Sequence, residues 1–188
     1  MKPAVLTTSP ATAPDRGSCL HPSGIAGVGV VRADGEYRLV ATRQIPAGQP
    51  LFRIEGELSS RPSRYSVQVG YQLHIDLHGD HTTEEILDRY FWRFMNHSCE
   101  PSVLVRERDV AAARDINPWE AVTFNYNTTE WEMSEPFSCR CGSRHCLGKV
   151  QGFKFLTAAQ RTELSPVAPY FSRLLSEASP LTAARAPA

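Results

Sequence analysis

Arg93-Phe94-Met95-Asn96-His97-Ser98-Cys99-Glu100-Pro101 sets a carboxamide, an imidazole, a hydroxyl and a thiol in a row ahead of a proline. Taken alone, these residues also suit a helix end and the turn after it, because short polar side chains bond their own backbone and proline stops a helix. What lies on either side decides. Upstream, Thr82 with Glu85 three residues later has the spacing of a capping box, and Ile86, Leu87, Tyr90, Phe91 and Phe94 follow at helical intervals. The spacing predicts a helix over about 83–94. Before it, Val67, Val69, Tyr71, Leu73, Ile75 and Leu77 alternate with Gln68, Gly70, Gln72, His74, Asp76 and His78, which predicts one long strand ended by Gly79-Asp80.

Downstream, residues 103–114 read as two short strands around Arg108-Asp109, and Ala121-Val122-Thr123-Phe124-Asn125-Tyr126 as another. Toward the N-terminus, Val28 and Val30 and then residues 37–42 form strands on either side of a turn carrying Asp34-Gly35. Residues 157–164 and 169–177 have helical patterns bracketing Ser165-Pro166. Many short strands with few helices indicate a mainly β, α+β domain.

The chain has 188 residues and 41% apolar composition, enough for one core and too much for a disordered or fibrous protein. Residues 1–18 and 179–188 are rich in small residues and proline without periodicity, so both are expected to be disordered tails. No run of 18 apolar residues occurs and residues 1–14 lack an apolar signal region, so a soluble chain without signal peptide or membrane role is expected. Twenty acidic residues balance twenty basic ones, which argues against direct nucleic-acid binding as the main task.

Three of the five cysteines fall in Cys139-Arg-Cys141-Gly-Ser-Arg-His-Cys146, a C-x-C-x4-C arrangement. Sulfurs so close in sequence make poor disulfides with each other but can face one metal ion, which favours zinc and a reducing compartment. Zinc needs a fourth ligand. His145 would have to fold back sharply on its neighbour Cys146, whereas Cys99 can be brought in by the fold. A second polar group, His74, Asp76 and His78 with Asp80 and His81 after it, shares one strand face and is expected to be a solvated surface rather than a metal site.

Together these stretches resemble the SET-domain protein lysine methyltransferases. Residues 93–101 are similar to that family's R-F-x-N-H-S-C-x-P signature, residues 121–126 to its E-L-T-F-D-Y strand, and the cysteine run to its post-SET zinc loop. Residues 24–30 and 45–51 look like its opening glycine motif and the turn after it. The resemblance implies several short sheets, a pseudoknot that carries Cys99 to the other three sulfurs, a post-SET zinc loop and C-terminal helices. The implied layout is a SET domain over 19–137, the zinc loop over 138–152 and a helical extension over 153–178.

The resemblance also implies S-adenosylmethionine held by Gly27, Val28 and Gly29 and by Asn96 and His97, with Tyr126 as the catalytic tyrosine. Phe124 and Tyr126 would line the lysine channel, and Cys99, Cys139, Cys141 and Cys146 would hold zinc. The implied partner is a protein or peptide lysine, with the enzyme a cytoplasmic monomer, or nuclear if eukaryotic. Phe124, where the family has phenylalanine or tyrosine, implies room for more than one methyl. Asn125, Ser102 and Val30 depart from the family pattern without removing a reacting group. An inactive SET-like regulatory module and a zinc-stapled interaction domain are the rival readings.

Overall fold

The structure is a computed structural model and describes residues 19–23, 27–33 and 35–178. The expected tails, residues 1–18 and 179–188, and the start of the glycine motif, residues 24–26, lie outside the described residues. Five small sheets and few helices make up the described chain, as the strand count predicts. Among the described residues no helix is long and apolar enough to cross a membrane.

In the first sheet β1 (Cys19–Ser23), β2 (Val28–Ala33) and β3 (Glu36–Ala41) pair antiparallel in that order. The expected hairpin is present, with Gly35 at φ 82°, a left-handed angle that glycine adopts at no steric cost. The second sheet orders β4 (Pro50–Arg53), β10 (Asp109–Ala112) and β9 (Val103–Arg106). The β9–β10 turn falls on Glu107-Arg108, one residue before the predicted position, with Glu107 itself at φ 55°.

The third sheet corrects the sequence reading. Residues 66–78 form a hairpin, β6 (Val67–Gly70) and β7 (Leu73–Asp76), with β5 (Glu57–Ser59) on the far side of β7. Tyr71 and Gln72 make the turn, Gln72 at φ 48°. The two-residue turn pairs Gly70 with Leu73 and by itself would reverse odd–even parity, but the register shift between Gln68 and Gly70 restores it, so Val67 pairs with Ile75, Gln68 with His74, and the alternation runs through unseen. The polar face is not solvated either: His74 is 5% and Asp76 7% exposed, because β7 is the central strand, and Asp76 accepts from Arg93 at 3.2 Å. His78 and Asp80 are exposed.

The capping box at Thr82 forms as expected, but α1 (Thr83–Asp88) stops early and a separate 3-10 turn, Phe91–Phe94, follows. That turn drives Trp92 into the core, where its indole N–H donates to the Glu55 carbonyl at 2.8 Å. The principal core gathers Val28, Val30 and Leu39 of the first sheet, Val103 and Val110 of the second and Ile75 of the third, with Ile45, Ile54, Trp92, Met95, Ile116 and Val122 from the segments between strands. Each large aliphatic among them contributes about 1.5–3 kcal/mol by leaving water.

Two parallel residue pairs join β8 (Asn96–His97) to β11 (Thr123–Phe124), the contact a crossing of these segments requires. The predicted 121–126 strand is shorter than expected: Asn125 accepts from the Asn127 N–H and caps a 3-10 turn over Tyr126–Thr128. Beyond it, β12 (Phe137–Ser138) pairs with β13 (Lys149–Val150) across the base of the cysteine loop. Of the two expected helices, α2 (Ala158–Glu163) buries no residue, while α3 (Phe171–Ala178) brings Phe171 and Leu174 to a second, smaller core with Phe153 and Leu156 against Trp131.

Candidate active site

A cleft of about 900 Å³ opens where β8 and β11 meet the cysteine loop. Met95, Asn96, His97, Phe124 and Tyr126 form one wall, while Phe137, Cys139 and Cys141 form the other. The β8–β11 pairing sets the first wall, because it fixes Asn96 beside Thr123 and His97 beside Phe124.

Tyr126 leaves the strand just past that pairing, and its hydroxyl donates to the Met95 carbonyl at 2.8 Å. Its ring centroid lies 4.6 Å from Phe124, 5.3 Å from His97 and 6.1 Å from Phe137, an aromatic chamber. Burial, with some help from the nearby Glu130 charge, pushes the phenol well above its ordinary range, so it stays protonated and acts as a fixed dipole.

His97 is fully engaged. Its Nδ1 accepts from the Tyr126 backbone N–H at 3.2 Å, which leaves the ring proton on Nε2, and Nε2 lies 3.3 Å from Cys99 Sγ. Burial holds the imidazole down to about 4, so it is neutral near pH 7. The side chain is thus a strut between the tyrosine turn and a sulfur. Asn96 has its side chain exposed, held by a long 3.4 Å bond to the Tyr37 carbonyl.

The sulfurs of Cys99, Cys139, Cys141 and Cys146 all lie within 4.8 Å of one another, and the Cys99–Cys139 separation is 4.0 Å. All four are free thiols. Four zinc–sulfur bonds of about 2.3 Å in a tetrahedron put sulfurs roughly 3.8 Å apart, so the cluster fits a closed structural zinc site. Burial pushes the Cys99 and Cys139 thiols up. At Cys141 burial acts the same way, but hydrogen bonds from the Cys99 and Ser143 backbone and the neighbouring thiols outweigh it and lower that thiol. His145 stands outside the cluster, with its Nε2 accepting from Arg144 Nε at 2.9 Å.

Gly27, Val28 and Gly29 are placed differently from the other expected site residues. They sit at the head of β2, Val28 fully buried in the core and the Gly27 carbonyl accepting from the Thr42 N–H at 2.9 Å, and none lines the cleft. Glu36 and Arg38 of β3 are the residues of that sheet that reach it. Sequence reasoning missed Glu130, which is 5% exposed and lines the cleft. Its only signal is a spacing of four from Tyr126, which matters only once a turn is known to lie between them.

Residues 36–127 match the SET domain family, a span running from β3 through Asn96, His97, Cys99 and Tyr126. This chain carries a SET domain. The methyltransferase flvH of Aspergillus flavus is 33% identical over 120 residues, covering 61% of this chain and 61% of that protein. The histone-lysine N-methyltransferase ASHH1 of Arabidopsis thaliana is 27% identical over 145 residues, 66% of this chain and 29% of that protein. The SET-domain chain therefore spans less than two thirds of the length of either relative. A crystal structure of KRYPTONITE with mCHH DNA, an H3(1-15) peptide and SAH superposes with a TM-score of 0.51 at 22% identity, covering 66% of this chain and 29% of that one. The mosaic of small sheets is thus the SET fold.

Proposed function

We propose that this SET-domain protein is a protein-lysine N-methyltransferase that uses S-adenosylmethionine. The observation that carries the reading is Tyr126, a protonated phenol fixed to the Met95 carbonyl inside an aromatic chamber that opens beside the exposed carboxamide of Asn96. The names of the relatives above support it, one a methyltransferase and the other a histone-lysine methyltransferase.

The cofactor, when bound, supplies an electrophilic methyl on a sulfonium. The reaction then needs a neutral amine in line with that methyl, whereas a free lysine amine has a pKa of about 10.4. Phe124, Phe137 and the Tyr126 ring exclude water from the chamber, which disfavours the ammonium form and holds the amine near attack geometry. The Tyr126 hydroxyl, donating its O–H to the Met95 carbonyl, presents oxygen lone pairs into the chamber that orient an amine N–H or accept weak C–H contacts. Phe124 offers no hydroxyl beside that space, which supports the transfer of more than one methyl.

Cys99, Cys139, Cys141 and Cys146 would hold one structural zinc that keeps the far wall in place. Free thiols suit a reducing, cytoplasmic setting, and the substrate class that goes with the chamber is a lysine of a protein or peptide. Residues 19–137, 138–152 and 153–178 serve as catalytic body, sulfur loop and helical buttress. Titration calorimetry of the zinc-loaded protein with S-adenosylmethionine tests the reading: saturable binding is expected, and absence of both heat and thermal shift would leave a stapled interaction domain.

A further inference from the structure

A buried carboxylate normally has a cation or several donors beside it, because an isolated charge out of water is costly. Glu130 has neither in full. Its Oε1 accepts from the Gln68 backbone N–H at 2.8 Å and from the Thr129 hydroxyl at 3.3 Å, and Oε2 carries no hydrogen bond among the described residues. The titratable groups that face it are the phenols of Tyr126, on the 3-10 turn, and Tyr170, just before α3; from β6 it meets only an amide. Among the described residues no cation contributes to its ionisation.

Its position bears on the chemistry. The Glu130 N–H donates to the Tyr126 carbonyl at 2.8 Å, so the two residues stand one turn apart, and both line the cleft. We propose that Glu130 is the proton acceptor for the incoming lysine: its carboxylate receives the substrate ammonium and takes one of its protons. The nitrogen–hydrogen bond breaks, an oxygen–hydrogen bond forms at the carboxylate, and the electron pair stays on nitrogen for attack on the methyl. The proton later leaves to solvent. This inference rests on the methyltransferase reading and deepens it, since it names the group that neutralises the amine.

Burial raises the Glu130 carboxyl to about 7, which poises it between both protonation states in the neutral range. Sign follows from that. Below about 7 the acid is already protonated and cannot accept, so the rate falls as pH drops through that region. Once it has taken the proton, the neutral acid no longer holds the substrate by charge and releases the amine toward the methyl.

The bland alternative is a clamp between β6 and the 126–131 segment, and Glu130→Gln separates the two because its amide oxygen can still accept from Gln68 and Thr129. With the zinc-loaded full chain, S-adenosylmethionine and the H3(1-15) peptide, the proposal expects Glu130→Gln to bind cofactor normally. It expects kcat to fall by about 10²-fold and the acid limb near neutrality to disappear. Unchanged kcat, or a lower kcat with the limb in place, overturns the proposal while leaving the methyltransferase reading intact. A second readout needs no turnover: carbon NMR of the glutamate carboxyls. The signal missing from Glu130→Gln should titrate near neutrality in the wild-type chain and shift to lower pH on adding n-butylammonium. Titration in the usual carboxylate range, or no response to the ammonium, overturns the proposal even if the peptide is not a substrate. Failure of cofactor binding in the wild type would instead strike the underlying reading.

Discussion

The two walls of the cleft are held by different forces. Behind Tyr126 stands a core whose Val28, Ile45, Ile54, Ile75 and Ile116 are sealed from solvent, and the wall is an extension of it. Opposite, residues 131–149 include no buried residue, and the cysteine loop is tied down mainly by the two pairs of β12–β13 and by its sulfurs. One wall is set by apolar packing and persists wherever the domain is folded. The other has four sulfurs that can hold a metal in place of such packing, so binding and folding need not rise and fall together.

The strongest way to break that contrast is chelation. Removing the metal, or Cys99→Ser, is expected to abolish cofactor binding and turnover and to open residues 139–148 to protease, while the strand signal in circular dichroism persists. Loss of the strand signal with the metal would mean that both walls share one source of stability. Trp92→Ala should do the reverse. It empties a buried site and strands the Glu55 carbonyl, at a cost of about 3–5 kcal/mol in denaturant unfolding, with the sulfur cluster still able to bind cobalt and show thiolate charge-transfer bands.

A smaller effect is expected at the first wall itself. Tyr126→Phe leaves the Met95 carbonyl without its donor and the amine without its guide, so kcat should drop about tenfold or more while cofactor affinity holds. Equal loss in both would place the phenol in binding rather than in the transition state. The finest test is Phe124→Tyr, which should leave total methyl transfer within a few-fold and shift product masses from multiply to singly methylated peptide. A wild-type product that stops at one methyl would remove the role given to Phe124.

Legibility in the sequence followed range. The capping box at Thr82 and the hairpin at Gly35 are short-range devices, and each formed where the residues placed it or near it. The turn at Tyr71-Gln72 was invisible because the register shift between Gln68 and Gly70 cancels its change of parity, and the burial of His74 and Asp76 was invisible because strands and Arg93 distant in sequence create it. At the site, the meeting of Cys99 with the other sulfurs was expected, whereas the occupation of both His97 nitrogens was not, since one partner is a backbone amide 29 residues away. Glu130 could not be found by pattern, as nothing in Thr128-Thr129-Glu130-Trp131 announces a turn.

The separation of Cys99 from Cys139 by 40 residues gives the protein an order of assembly. Synthesis proceeds from the N-terminus at about 5–20 residues per second, so the first sulfur waits several seconds for its companions to be made. By the time Cys146 emerges, the strands that frame the first wall are already outside the ribosome. Capture of the zinc proposed for these sulfurs would therefore follow the first wall, and a cell short of zinc would be expected to accumulate a chain whose first wall is formed while its second is not.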